Sequence, residues 1–155
     1  MNLPIDNQSG ELKKTWILAV ILLIGAPIIY LIIIGSLSIA PRTGGEVDLL
    51  FYIFLIVSIV EPVLIPVIER YQINMYQKSR FSRMSPGQLF TSISIIKFAL
   101  IETIYIYGLI MYLFSADFLK VVYFYLIGIT WSVIHWPRRS SWDKFRKVLD
   151  KNEHR

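Results

Sequence analysis

Two charged side chains, Lys97 and Glu102, interrupt the otherwise apolar run of residues 89–114. A charge near the middle of a bilayer costs roughly 2.5–3.5 kcal/mol on insertion scales. Such residues therefore face protein or water, and many of them carry protons or ions. A third charge, Glu61, lies inside the apolar run of residues 49–68. Of the three, Glu102 is the strongest candidate for chemistry.

Glu102 is the candidate proton or cation carrier because it lies near the centre of its run, counted from either end. Tyr105 and Tyr112 follow it by three and ten residues, which places their hydroxyls on the same helical face. We expect these hydroxyls to hydrogen-bond the carboxyl. Two interpretations remain open: a neutral acid that joins helices, and a carboxyl that loads and unloads a proton or a cation.

Glu61 and Lys97 are predicted to form a buried ion pair. The two apolar runs that hold them meet at one end of the protein. Glu61 precedes Glu69 by eight residues, and Lys97 follows Leu89 by eight. Each therefore lies about 12 Å from that end at 1.5 Å per residue. Opposite charges at equal depth on neighbouring helices would compensate each other. The alternative is that Lys97 extends towards the headgroups.

Prolines interrupt the first two apolar runs. Each proline lacks an amide donor and frees the carbonyl four residues before it, so we expect bends at these places. In the second run, Pro62 and Pro66 free the carbonyls of Ser58 and Pro62, close to Glu61. These carbonyls with the carboxylate form a candidate cation site, although neighbouring groups or water satisfy freed carbonyls more often. In the first run, Pro27 is expected to act only as a packing kink.

The elements that position these side chains are four apolar runs, which predict an all-α polytopic integral membrane protein. The chain has 155 residues, of which 55% are hydrophobic and only 17% charged, against about 25% charged in soluble domains. Each run meets or nearly meets the ~20 residues with which a helix crosses about 30 Å of hydrocarbon. We predict an up-down bundle of four transmembrane helices, at residues 15–40, 49–68, 89–114 and 118–136.

The polar ends complete the predicted organisation. Residues 1–14 form an N-terminal lead, residues 15–136 the transmembrane domain, and residues 137–155 a basic tail. The tail has the pattern of a short amphipathic helix lying on the membrane surface. A docking helix for a partner and a solvated tail are the alternatives. The predicted membrane-surface anchor comprises an apolar face and flanking lysines: Trp142, Phe145, Leu149, Lys144 and Lys147.

The distribution of basic residues predicts the topology. Thirteen of the 16 Lys and Arg lie in the two termini and in the connection at 69–88. The positive-inside rule therefore places both termini in the cytoplasm of a multi-pass protein of the cell (inner or plasma) membrane. This topology and contact with anionic lipid account for the net charge of +5, so we expect no nucleic-acid partner.

Several classes of site are excluded by composition. The chain has no cysteine, which excludes disulfides, iron–sulfur clusters and thiolate metal sites. It also has no nucleotide-binding motif and no histidine cluster, so we expect no enzymatic activity, no catalytic residue, no metal and no cofactor.

The fourth run carries a stripe of residues for helix packing. Gly128 and Ser132 form a small-xxx-small pair that lets another helix approach closely. His135 is the only histidine in any run, which excludes a bis-histidine haem site. A quinone pocket built from His135 and Tyr125 remains an alternative. The four members, spaced three, four and three residues apart, are Tyr125, Gly128, Ser132 and His135.

The segment around Glu102 resembles the carboxylate-bearing helix of rotary ATP synthase c subunits, the proteolipids. Residues 99–109 read Ala-Leu-Ile-Glu-Thr-Ile-Tyr-Ile-Tyr-Gly-Leu, and that family has an alanine before its membrane carboxylate and Ile-Tyr-Gly-Leu after it. The resemblance implies that Glu102 is the ion-carrying carboxylate. It covers one helix, and the family's glycine-rich helix has no counterpart, since residues 49–68 contain no glycine.

The overall layout also looks like small uncharacterised four-helix membrane proteins with an Ala-x-x-Glu-x-x-x-x-x-Gly-Leu third helix, a resemblance that implies no activity. We expect an accessory or structural subunit of a larger membrane protein complex, in contact with other membrane subunits or with copies of itself. The alternatives are proton or cation translocation through Glu102 and a lipid- or quinone-binding protein.

Overall fold

The structure, a computed structural model, describes residues 5–40, 44–78 and 85–153. These parts are helical apart from short connections and contain no strand. The elements are α1 (Ile5–Val20), a π-helical turn (Ile21–Gly25), α2 (Ala26–Ser36), α3 (Gly45–Val60), a 3-10 turn (Glu61–Leu64), α4 (Ile65–Lys78), α5 (Pro86–Ser115), α6 (Phe118–Ile134) and α7 (Arg139–Glu153).

Parts of the predicted segments lie outside the described residues. They are residues 1–4 of the lead, residues 41–43 with the Arg42 of the topology count, residues 79–84 of the basic connection and residues 154–155 of the tail.

The first long helix joins α1 and α2 through the π-helical turn. Pro27 has no amide hydrogen to give to the turn before it. The Ala26 amide instead reaches back five residues to the Ile21 carbonyl. A single π turn of this kind keeps the backbone hydrogen-bonded where a proline would otherwise leave a gap. The predicted interruption is therefore present as a π bulge.

The second long helix joins α3 and α4 through the 3-10 turn. The amide of Ile65 bonds the carbonyl of Pro62, three residues back. The carbonyl that Pro66 frees therefore accepts a hydrogen bond through local tightening of the helix. The helix then continues to Lys78, ten residues beyond its predicted end at residue 68.

The third long helix, α5, is the centre of the fold. It begins with a capping box, in which Ser85 Oγ accepts from the Gln88 amide at 3.2 Å and Gln88 Oε1 accepts from the Ser85 amide at 2.9 Å. It ends at Ala116, whose φ of 52° is left-handed, and Asp117 then caps α6. In the most apolar stretch of 18 residues, 39% of the residues of α5 are buried, whereas the corresponding shares are 22% in the first long helix and 17% in the second.

Side-chain contacts give the directions of the helices. Thr15 contacts Thr91 (3.2 Å), and Tyr30 contacts Glu102, so the first long helix runs parallel to α5. The second long helix and α6 run antiparallel to α5. At the far end, Lys120 of α6 pairs with Asp48 of α3 at 2.6 Å. The four helices therefore alternate in direction along the chain.

A small apolar core covers one end of the bundle. α7 packs there across the ends of α4 and α5, and Leu12 of α1 packs against the same core. Phe90 makes edge contacts with Trp142 at 4.9 Å between ring centroids. The buried members are Ile73, Leu89, Phe90, Ile93, Trp142, Phe145 and Leu149.

Three helices in the described part of the chain are long and apolar enough to cross a membrane: Gly10–Ser36, Gly45–Tyr76 and Pro86–Ser115. A fourth is counted if α6 and residues 139–147 are taken together, although these two helices meet at 61°.

Candidate functional site

Glu102 forms a hydrogen bond to another helix. The Tyr30 hydroxyl of α2 donates to Glu102 Oε1 at 2.7 Å. The predicted partners lie elsewhere: the Tyr105 hydroxyl contacts Ser132 Oγ at 3.1 Å, and the Tyr112 hydroxyl donates to the Leu37 carbonyl at 3.3 Å. The predicted partners Tyr105 and Tyr112 are therefore wrong, and the tyrosine that bonds Glu102 is Tyr30. Tyr105 is directed into the interface with α6, whereas Glu102 faces α2.

Lys97 pairs with Glu69, and the predicted Glu61–Lys97 pair is not formed. Lys97 Nζ lies 3.0 Å from Glu69 Oε1, and both side chains are partly exposed, at 19% and 34%. The prediction took Glu69 as the end of the second helix, but that helix continues to Lys78. Its register therefore brings Glu69 to the level of Lys97, and Glu61 lies about 12 Å further along the bundle.

Glu61 belongs to a separate polar cluster at the 3-10 turn. The Tyr107 hydroxyl of α5 lies within hydrogen-bonding reach of the Glu61 carboxyl. Phe54, which lies two helical turns before Glu61 on the same face, stacks on the Tyr107 ring at 4.8 Å between centroids. Ser58 shares this face and is fully buried. Its Oγ and Glu61 Oε2 have no hydrogen-bond partner among the described residues, which is unusual for buried oxygens in a folded protein.

The stripe on α6 packs against α5 and α2. The ring of buried Tyr105 lies over Gly128, so a Cβ at that position would come within 2.6 Å of the ring. Ser132 bonds the hydroxyl of the same tyrosine. The Tyr125 hydroxyl donates to the Pro27 carbonyl at 2.9 Å, beside the π turn of the first long helix. The small residues thus admit an aromatic side chain rather than a helix backbone.

The fourth member of the stripe, His135, lies in a polar cleft of about 90 Å³. Its ring stacks on Trp131 at 5.6 Å between centroids, and its Nε2 is buried with no partner among the described residues. The cleft lies between α4 and the end of α6. The residues that line the cleft include Trp136 and five polar or charged side chains: Glu69, Ser94, Lys97, His135 and Ser141.

The apolar face of α7 is covered by protein, so the predicted membrane-surface anchor is wrong in this respect. Trp142, Phe145 and Leu149 are only 9%, 5% and 8% exposed. Ile73 of α4, which lies beyond the predicted end of the second helix, buries this face together with Leu89, Phe90 and Ile93 of α5. Lys144 and Lys147 lie on the exposed side of α7.

Three residues that contact the charged side chains were not predicted from the sequence: Tyr30, Glu69 and Tyr107. Extension of the second helix through the amphipathic sequence that ends at Lys78 would have found Glu69. The two tyrosines carry no such signal, because a period of 3.6 residues shows which face is polar and not which helix it meets.

The described residues contain no group of three or more His, Asp or Glu side chains that could hold a metal ion. Comparison with known proteins gives no relative, since no protein-family model, curated protein or solved structure matches this chain. The contacts of the buried polar side chains therefore carry the functional inference.

Proposed function

We propose that the chain is an integral membrane protein with four spans and that it serves as an accessory subunit of a larger membrane assembly. The lengths of the helices support the membrane setting. From Lys97 to the end of α5 at Ser115 is about 27 Å, and the 17 residues of α6 cover about 26 Å. Both values are close to the hydrocarbon thickness of about 30 Å. An edge contact between Trp16 and Trp136, at 5.6 Å, lies where an interfacial aromatic belt is expected.

The charge distribution supports cytoplasmic termini. Most of the described basic residues gather at the end where α7 packs: Lys13, Lys14, Arg70, Arg138, Arg139, Lys144 and Lys147. At the opposite end Lys120 is paired with Asp48. The positive-inside rule assigns the end with the excess of Lys and Arg to the cytoplasm. A reporter fused after Arg155 should be cytoplasmic, and an external signal would overturn this orientation.

This placement changes the depths of the charges. The Lys97–Glu69 pair then lies near the cytoplasmic headgroups, at the level where α6 ends. Glu102 is five residues deeper on α5, about 8 Å, and Glu61 is eight residues deeper on the second helix, about 12 Å. The carboxyl nearest the bilayer centre is therefore Glu61 rather than Glu102.

The accessory role rests on one observation: each charged side chain within the bundle contacts a polar side chain of a different long helix. Glu102 bonds Tyr30, Lys97 pairs with Glu69, and Glu61 lies beside Tyr107. Interhelical polar contacts of this kind contribute on average about 0.6 kcal/mol each in membranes, and up to about 1.7. Charges used in this way hold helices together, which is what a structural subunit requires.

Site-specific photo-crosslinking tests the accessory role. A crosslinker at Ile32 or Ile56, which are 65% and 61% exposed, should join the chain to one recurrent membrane protein. The same crosslinker at fully buried Ile104 is the control and should give only internal products. Glu102→Gln should leave the crosslinked complex intact, because the amide still accepts from Tyr30. A chain that crosslinks only to lipid and purifies alone as a monomer would overturn the proposal.

A second function, proton or cation translocation, is favoured by Ser58 Oγ and Glu61 Oε2 beside the 3-10 turn, which have no hydrogen-bond partner among the described residues. This observation moves the candidate carrier from Glu102 to Glu61. Proteoliposomes should then lose pH-driven or cation-driven uptake with Glu61→Gln and keep it with the matched variant Glu102→Gln. If both variants and the native protein show the same leak as empty vesicles, the translocation function is wrong.

A further inference from the structure

The polar cleft beside His135 lies where a lipid headgroup would lie. Its sides are α4 and the end of α6, its floor is α5, and the first turn of α7 closes it towards the cytoplasm. Ile134 on the rim is 58% exposed, so the cleft opens beside the proposed lipid-facing surface of α6. Its volume of about 90 Å³ is several times the ~10–15 Å³ that one water needs.

The polar groups of the cleft combine both signs of charge. Lys97 supplies an ammonium, and the partly exposed Glu69 supplies a carboxylate 3.0 Å away. His135 Nε2 is a buried hydrogen-bonding atom without a partner among the described residues, and neutral imidazole can donate or accept there. Ser141, in the first turn of α7, adds a hydroxyl. A ligand suited to this set carries an anionic group and a cationic group a few ångströms apart.

We propose that this cleft binds the headgroup of phosphatidylethanolamine, with Lys97 and His135 at the phosphate and Glu69 at the ammonium. The phosphate offers oxygens that accept from Lys97 and from an N–H at His135 Nε2. The primary ammonium offers three donors to Glu69, which a choline headgroup lacks. A headgroup with net negative charge would be repelled by Glu69. The inference rests on the proposed membrane setting and not on the accessory role.

Native mass spectrometry of the detergent-purified protein tests this assignment. The probes are phosphatidylethanolamine, phosphatidylglycerol and phosphatidylcholine with matched acyl chains, with diacylglycerol and inorganic phosphate as further arms. The native protein should bind phosphatidylethanolamine best. Diacylglycerol reports binding through acyl chains alone, and inorganic phosphate reports an ion site that needs no lipid.

Paired substitutions locate the site. The double variant Lys97→Met with Glu69→Gln removes both charges together, and His135→Phe removes the ring nitrogens while keeping an aromatic ring. His135→Phe should weaken phosphatidylethanolamine binding about tenfold, the effect of one charge-assisted hydrogen bond. The double variant removes two such contacts and should weaken binding by more. The matched control removes the ion pair at the other end, by Lys120→Met with Asp48→Asn, and should not weaken it. Glu69→Gln alone should abolish the preference over phosphatidylglycerol.

Two results would overturn the assignment: equal binding of all three phospholipids by the native protein, or an equal loss in the control variant. Tight binding of inorganic phosphate without a lipid preference would replace the headgroup by a free anion. These failures differ from failure of the membrane proposal, in which the protein would stay soluble and monodisperse without detergent and bind none of the lipids.

Discussion

Substitution of Gly128 by alanine should destabilise the protein, because it pushes a methyl group into a buried ring. The new Cβ would lie 2.6 Å from Cε1 and Cζ of Tyr105 and 3.0 Å from Cε2. Carbon atoms in contact prefer about 3.5–4.0 Å, so the overlap is about 1 Å. Tyr105 is only 1% exposed, and its hydroxyl contacts Ser132, which limits how far the ring can move.

The magnitude follows from two opposing terms. Overpacking of a buried interface costs about 1–3 kcal/mol, and an overlap of this size belongs to the upper part of that range. Alanine gains up to about 1 kcal/mol over glycine in a helix. We therefore expect the free energy of unfolding of Gly128→Ala to fall by about 1–2 kcal/mol. The assay is unfolding in mixed detergent micelles with increasing SDS, followed by circular dichroism.

Two controls separate the clash from the helix effect. Gly35→Ala places a Cβ where no atom lies within 4 Å, so it should be neutral or stabilise by up to about 1 kcal/mol. In a Tyr105→Leu background the ring is absent, so Gly128→Ala should keep only the helix gain, with a coupling of about 2–3 kcal/mol between the two sites. If Gly128→Ala changes the free energy of unfolding equally in both backgrounds, Tyr105 does not lie over Gly128.

Three further substitutions test other contacts. A double-mutant cycle of Tyr30→Phe and Glu102→Leu, each of which removes the hydrogen bond, should give a coupling of about 0.6 kcal/mol in the same unfolding assay, at most about 1.7, and zero coupling would show that the two helices are not joined there. Trp142→Ala removes a buried ring from the core under α7, at a cost of about 3–5 kcal/mol; limited trypsin digestion should cut α7 faster, and an unchanged rate would contradict its docking. Ser58→Ala removes a buried hydroxyl that has no hydrogen-bond partner in the described part of the chain, so it should stabilise the protein by about 1 kcal/mol, whereas a loss of stability would reveal a bound partner.

The helical class could be predicted from the sequence. Continuous apolar runs of 19 to 26 residues indicate helices, and the spacing of Ser85 and Gln88 marks the start of α5. The end of the second helix could not be placed from hydropathy. That helix continues as a polar, amphipathic segment to Lys78. Its register therefore places Glu69 beside Lys97, where Glu61 was predicted.

The partners of the buried carboxyls were not predictable for a different reason. Periodicity identifies the face on which Glu102 lies, but it does not show that α2 rather than α6 faces it. The tyrosines of α5 were the nearest candidates in the sequence, yet Tyr105 turns to Ser132 because Gly128 leaves space for its ring. The covering of α7 was missed for a similar reason, since an amphipathic face fits lipid and protein equally well.

The position of α5 at the centre of the bundle has a consequence for biogenesis. The first long helix is complete when Ser36 leaves the ribosome, but its main packing partner is complete only at Ser115. At 5–20 residues per second this leaves a delay on the order of ten seconds. In the proposed membrane setting, the first two helices must wait in lipid with Tyr30 and Glu61 unpartnered by α5. An insertase or chaperone that shelters them during translation would therefore act before the third helix arrives and leave once it has inserted.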